Sequence, residues 1–183
     1  PAGAITSVGR LARGNTVSDH DPLEVKNQQS LQSSVLHLHH QGCCVHFIDT
    51  PGAADLLGHS LPALEAVETA AVVIDAGSGI EPMTRRMMAY AAERGLDRLI
   101  IVNKIDAPGV DLPGLLQDIQ ATFGSECLPV NLPCQQASGV ADCFYQSKGD
   151  SDFGRDAIAN AHRALVEQVV EVETSFLDEG YEG

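Results

Sequence analysis

Two short strings in this 183-residue chain carry residue types whose spacing could do chemistry. In Asn103-Lys104-Ile105-Asp106, a fixed carboxylate on Asp106 can accept two hydrogen bonds, from the ring N–H and the exocyclic amine of guanine. Adenine lacks that donor pair, and a carboxylate left unpaired against the wrong base is the kind of mismatch that discriminates strongly. The Lys104 stem can lie over a base plane, and Asn103 can tie the loop to its neighbours. In Asp49-Thr50-Pro51-Gly52, a carboxylate at a strand end is placed to hold Mg²⁺ through water, and Gly52 offers an unshielded N–H to a terminal phosphate. Such a loop can exist in two states, held by a γ-phosphate and released on its hydrolysis. Taken singly, the first string reads as a polar turn and the second as a Pro-Gly connection. Their pairing in this order, each after an apolar run (Val45–Ile48 and Leu99–Val102), points to a guanine-nucleotide site.

Other constellations carry less. Gly9-Arg10-Leu11-Ala12-Arg13-Gly14-Asn15-Thr16 copies the spacing of a phosphate loop, but Asn15 stands where a Lys must bridge phosphates, and no convincing strand precedes it. It is a coincidence of spacing, so no intact phosphate loop is read in the chain. His37 and His39 share a strand face, but without an evident third ligand they read, with His40, as solvated strand histidines. The five cysteines, Cys43, Cys44, Cys127, Cys134 and Cys143, form no CxxC pair and read as buried free thiols in a reducing cytoplasm.

The elements that must position the two strings follow from the apolar pattern. Val35–His40 alternates and turns through Gln41-Gly42 into Cys43–Asp49, a hairpin. Leu61, Leu64, Ala66, Val67 and Ala70 recur at helical spacing. Ala71–Asp75 and Leu99–Val102 read as buried strands, separated by a helix over Thr84–Glu93 with Met87, Met88, Ala91 and Ala92 inward. Asp111–Phe123 reads as a helix ended by Gly124. Strand and helix alternate from Cys43 to Phe123, which predicts an α/β fold with a mostly parallel, doubly wound sheet. Beyond Cys127 the rhythm changes to short β pieces, Leu128–Leu132 and Gly139–Phe144. A last amphipathic helix follows, with Ile158, Ala161, Leu165, Val169, Val172 and Phe176 on one stripe. Residues 1–34 read as a long mobile segment.

Composition excludes some functions. Apolar residues make up 44% of the chain, aromatic residues 4% and there is no Trp, so the core rests on aliphatic side chains. The formal charge is −14, and residues 142–183 hold ten acidic residues against Lys148, Arg155 and Arg163. That sign repels phosphate backbones and leaves no broad nucleic-acid surface. No apolar run approaches the ~20 residues that span a bilayer, and no signal-type N-terminus is read.

With these residues assembled, the chain resembles the G domain of translational GTPases of the elongation factor G type. Thr16–Glu24 resembles the approach to that family's first switch, and Gln29-Ser30-Leu31 falls at its switch Thr or Ser. Asp49–Gly52 matches the second-switch motif and Asn103–Asp106 the guanine motif. The resemblance implies a P-loop NTPase-like (Rossmann-like) sheet flanked by helices, over residues 1–126. It also implies the start of an inserted α+β subdomain over 127–183. Asp49, Pro51, Gly52, Asn103, Lys104 and Asp106 are then expected to bind GTP or GDP, and Ser30 and Asp49 to hold Mg²⁺. A ribosomal partner and a cytoplasmic location are implied as well. The family's first strand and phosphate loop would precede Pro1, and its Ser-Ala base loop would follow Gly183. Without that strand, two sheet edges are left unpaired, and the isolated chain is expected to be unstable or self-associating. Ala53 stands at the family's water-positioning His, Asn27-Gln28 replaces an Arg-Gly, and His59 lies too far along to substitute, so no catalytic residue is assigned.

Three functions are compatible with these residues. One is a GTP-binding part of an elongation factor G-like translational GTPase, not competent for hydrolysis as this chain. The alternative is a degenerate G-domain module that docks on a ribosomal or protein partner without turnover. A flavodoxin-like α/β protein would leave Asn103–Asp106 unexplained.

Overall fold

The computed structural model describes Thr16, Ser18 and residues 21–172. The Gly9–Thr16 string lies outside the described residues except for Thr16, as does Phe176. The chain divides into two compact units, one of Pro1–Ala71 with Arg86–Leu99, the other of Val72–Arg85 with Ile100–Gly183.

The first unit begins, among the described residues, with a short helix, α1 (Pro22–Asn27), inside the segment expected to be a mobile loop. Its start is over-determined. Asp21 accepts from the Leu23 N–H at 2.7 Å, the Asp21 N–H donates to Glu24 Oε2 at 3.1 Å, and Pro22 supplies a pre-set φ. Glu24 is only 3% exposed, and its Oε1 also accepts from Leu31 N–H at 2.8 Å and Gln32 N–H at 3.1 Å. One buried carboxylate therefore folds residues 21–32 around itself. Strands β1 (Ser34–His40) and β2 (Cys43–Asp49) pair antiparallel, from Ser34 opposite Asp49 to His40 opposite Cys43. Gln41 (φ 48°) and Gly42 (φ 83°) make the two-residue turn, both left-handed as a twisted hairpin prefers.

After β2 the sequence periodicity misled in part. A 3₁₀ turn (Ala54–Leu56), the four-residue helix α2 (Leu57–Ser60) and a second 3₁₀ turn (Leu61–Glu65) replace the single helix expected through Ala70. Pro62 has no N–H to continue an α-helical ladder, and Ala70 already belongs to strand β3 (Thr69–Asp75). Leu64 and Ala70 nevertheless share one core with Ala91 of α3 (Pro82–Glu93), joined by Leu61, Met87, Tyr90 and Leu96. The spacing recorded a common packing surface, distributed over two elements. Of the α3 residues expected inward, Met88 and Ala91 are buried, and Ala92 is exposed.

Strands β3 and β4 (Asp97–Asn103) form the parallel pair of this α/β fold. Each buries one face only. Ile74 is 1% exposed, whereas Val73, Leu99 and Ile101 are 57%, 45% and 43% exposed, which corrects the expectation of strands buried on both faces.

In the second unit, Ile74, Ala76 and the buried Leu115 and Ile119 of α4 (Leu112–Phe123) form a core with Ile100, Val102 and Ile105 packed on it. Asp111 caps α4, its Oδ1 accepting from Gly114 N–H at 3.0 Å, and Gly124 follows the last turn. Strands β5 (Asn131–Cys134) and β6 (Gly139–Asp142) make an antiparallel hairpin. Leu132 and Cys143 share a separate core with Ile158, Ala161 and Leu165 of α5 (Ala157–Val172). On the apolar stripe of α5, Ile158, Ala161 and Leu165 are buried, whereas Val169 is 45% exposed. No helix among the described residues is long and apolar enough to cross a membrane.

Candidate functional site

The Asn103–Asp106 loop starts where β4 leaves its partner strand. The Ala76 N–H donates to the Asn103 carbonyl at 2.9 Å, tying the carboxyl ends of β3 and β4 together. Asn103 Oδ1 accepts from the Lys104 N–H at 2.9 Å, and Lys104 takes a left-handed φ of 56°. The Ala107 N–H then closes a turn onto the Lys104 carbonyl at 3.1 Å. Ile105 points the other way, packed against the Leu115–Ile119 core. The apolar residue between Lys104 and Asp106 is thus the anchor that leaves Asn103, Lys104 and Asp106 exposed at one strand end.

A residue not singled out from the sequence completes this loop. Lys104 Nζ lies 2.6 Å from Asp75 Oδ2, at the end of the neighbouring strand. Asp75 Oδ1 in turn accepts from Gly77 N–H at 2.8 Å and Ser78 N–H at 3.3 Å. The hydrogen bond from Lys104, then that from the Gly77 N–H, holds the Asp75 carboxyl below its usual 3.8. The same carboxylate raises Lys104 above its usual 10.5, through the hydrogen bond first and charge second.

The Asp49–Gly52 loop belongs to the first unit. Asp49 is exposed at the last position of β2. Pro51 is buried, and its carbonyl accepts from the buried Ser60 hydroxyl at 2.8 Å, so α2 holds the loop from behind. Gly52 is exposed, and a Cβ added there would meet nothing within 4 Å. Packing therefore does not demand glycine at 52. Ser30 is half-buried beside the Glu24-held Leu31. A serine hydroxyl and a carboxylate are hard oxygen donors, the kind Mg²⁺ takes. Ala53 is half-buried and has no side-chain acceptor, and His59 is exposed, with its carbonyl occupied by the Ser33 hydroxyl at 2.9 Å.

The structure places the seven expected binding residues in three stretches: Ser30 after α1, Asp49 ending β2 with Pro51 and Gly52 beyond it, and Asn103 ending β4 with Lys104 and Asp106 beyond it. Sequence reasoning missed Asp75, Ser60 and Glu24. Asp75 was legible only as a strand end, because its partner lies 29 residues away. The hairpin register also puts His46 opposite His37 and Cys44 opposite His39. Cys44 Sγ and His46 Nε2 are 3.5 Å apart, but among the described residues no group of three or more is arranged to hold a metal.

Known proteins resemble this chain along most of its length. A family model described as the elongation factor Tu GTP binding domain matches residues 2–176. Peptide chain release factor 3 of Symbiobacterium thermophilum is 33% identical over 148 residues, 81% of this chain and 28% of that protein. An elongation factor G-like protein of Mycobacterium tuberculosis is 29% identical over 179 residues, 93% of this chain and 25% of that protein. A crystal structure of a Thermus thermophilus protein matches with a TM-score of 0.85 at 28% identity, covering 100% of this chain and 29% of that one. The chain spans about a quarter to a third of the length of these relatives.

Proposed function

Because the chain belongs to the elongation factor Tu GTP binding domain family, we propose that it is the guanine-nucleotide module of a translation factor that works on the ribosome in the cytoplasm. The observation that carries this reading is the Asn103–Asp106 loop. Its backbone is fixed at Lys104, its Ile105 is packed inward, and its Asp106 carboxylate is presented at a parallel-strand end. Ligands of such sheets bind beyond the carboxyl ends of the strands. Asp106 reads the guanine edge, Lys104 covers the base, and Asn103 holds both in place.

Pro51 and Gly52 serve the terminal phosphate. Gly52 leaves its N–H unshielded, and the open space where a Cβ would stand gives a phosphate oxygen room to approach. Ser30 and Asp49 would hold Mg²⁺, which supplies charge neutralisation at the β- and γ-phosphates when bound. Residues 127–183 begin an inserted subdomain, a reading supported by the separate core that β5, β6 and α5 share.

Ala53 favours nucleotide binding without turnover. A methyl group accepts no proton and orients no water. The chain therefore acts by being occupied, docking on its partner in a nucleotide-dependent way. Fluorescent GDP titrated into the chain with Mg²⁺ tests the reading. GDP binding that excess ADP fails to displace supports it, and equal competition by ADP overturns it. In a phosphate-release assay with GTP, turnover above the buffer rate would overturn the non-catalytic part alone.

A further inference from the structure

We propose that Asp75 is a positioning residue of the guanine site, holding the Lys104 ammonium so that the Lys104 stem is presented over the base. The inference deepens the guanine-binding reading and rests on it. Asp75 and Lys104 lie 29 positions apart and meet at the ends of β3 and β4, with Nζ and Oδ2 2.6 Å apart.

The geometry divides the carboxylate between two tasks. Oδ1 is occupied by the Gly77 and Ser78 N–H groups, which orient the acid from its own strand end. Oδ2 is thereby aimed at Lys104. At the other end of the lysine, the backbone is equally fixed: the N–H is held by Asn103 Oδ1, φ is 56°, and the Asn103 carbonyl is tied to Ala76. A flexible four-carbon stem is therefore pinned at its root and at its tip. Pinning removes rotamer freedom before any ligand arrives, which is where preorganisation raises affinity.

Stability does not explain the pair. The Lys104 side chain is 65% exposed and that of Asp75 32% exposed, and ion pairs this open contribute little to folding. Pinning the stem also acts on the base plane rather than its edge. The discrimination supplied by Asp106 should then be untouched when Asp75 is altered.

The test uses the full chain with fluorescent GDP as probe, and unlabelled GDP, inosine diphosphate and ADP as competitors. Asp75→Asn is expected to weaken GDP binding about tenfold, the scale of one lost orienting contact. The Asp75→Asn/Lys104→Met double variant should bind no more weakly than Lys104→Met alone, because Asp75 acts through Lys104. The ratio of GDP to inosine diphosphate affinity should stay that of the unaltered chain, and Asp75→Glu, which keeps the charge, should recover part of the loss. Unchanged GDP affinity in Asp75→Asn, or losses that add in the double variant, would overturn the proposal while leaving the guanine reading intact. An unaltered chain in which ADP competes as well as GDP sinks the guanine reading, and the positioning role with it.

Discussion

Asp106 and Asp75 are both carboxylates at strand ends, yet they do opposite work, one left open and one neutralised. Asp106 is exposed in a turn whose shape Asn103 and Ile105 impose. Its removal should cost what charge-assisted hydrogen bonds are worth. Asp106→Ala is expected to weaken GDP binding by about ten- to a hundredfold and to abolish preference over ADP, read by competition titration. Asp75 makes a pH signature instead. Its carboxyl titrates below 3.8 in the folded chain, chiefly through Lys104, so its contribution is present above that value and is lost as pH falls through the folded one. Lys104 titrates above 10.5, so its contribution is complete below that value and is lost as pH rises through the raised one. Because the pair is exposed, the difference in melting temperature between the unaltered chain and Asp75→Asn should be small, flat at intermediate pH, and shrink at both extremes. A difference that does not vary with pH would contradict the ion pair.

At the scale of elements, burial decides what each strand tolerates. Ile74 (1% exposed) and Val73 (57% exposed) are neighbours on β3 with opposite environments. Ile74→Ala should destabilise by about 2–5 kcal/mol, and Val73→Thr by less than about 0.5 kcal/mol, in chemical denaturation. The Glu24 hub makes a second prediction. Replacing it with Ala strips the acceptor from the Asp21, Leu31 and Gln32 N–H groups. Amide exchange at 31 and 32 should accelerate, with a stability loss of about 1–3 kcal/mol. The β1–β2 hairpin was legible because alternation and Gln41-Gly42 agree locally. Helices α3 and α4 were legible for a similar reason, each having a clear apolar face. The stretch after Asp49 was not, because its leucines and Ala70 converge on Ala91 through tertiary packing that a single-helix pattern imitates. Helix α1 was hidden in a polar segment because a buried Glu24, rather than an apolar stripe, organises it.

Across the whole molecule, Asn103–Asp106 and Asp49–Gly52 stood out as strings, but the residues that brace them did not. Ser60 behind Pro51 and Asp75 beside Lys104 act across chain separations that no local pattern reports. The central claim is that the Asn103–Asp106 loop at the end of β4 reads a guanine base. Backbone amide NMR of the full chain during a GDP titration with Mg²⁺ tests it most directly. The guanine reading predicts saturable shifts at Asn103, Lys104 and Asp106 with GDP, and none of them with ADP. No shift at these three residues with GDP, or the same shifts with ADP, would contradict it.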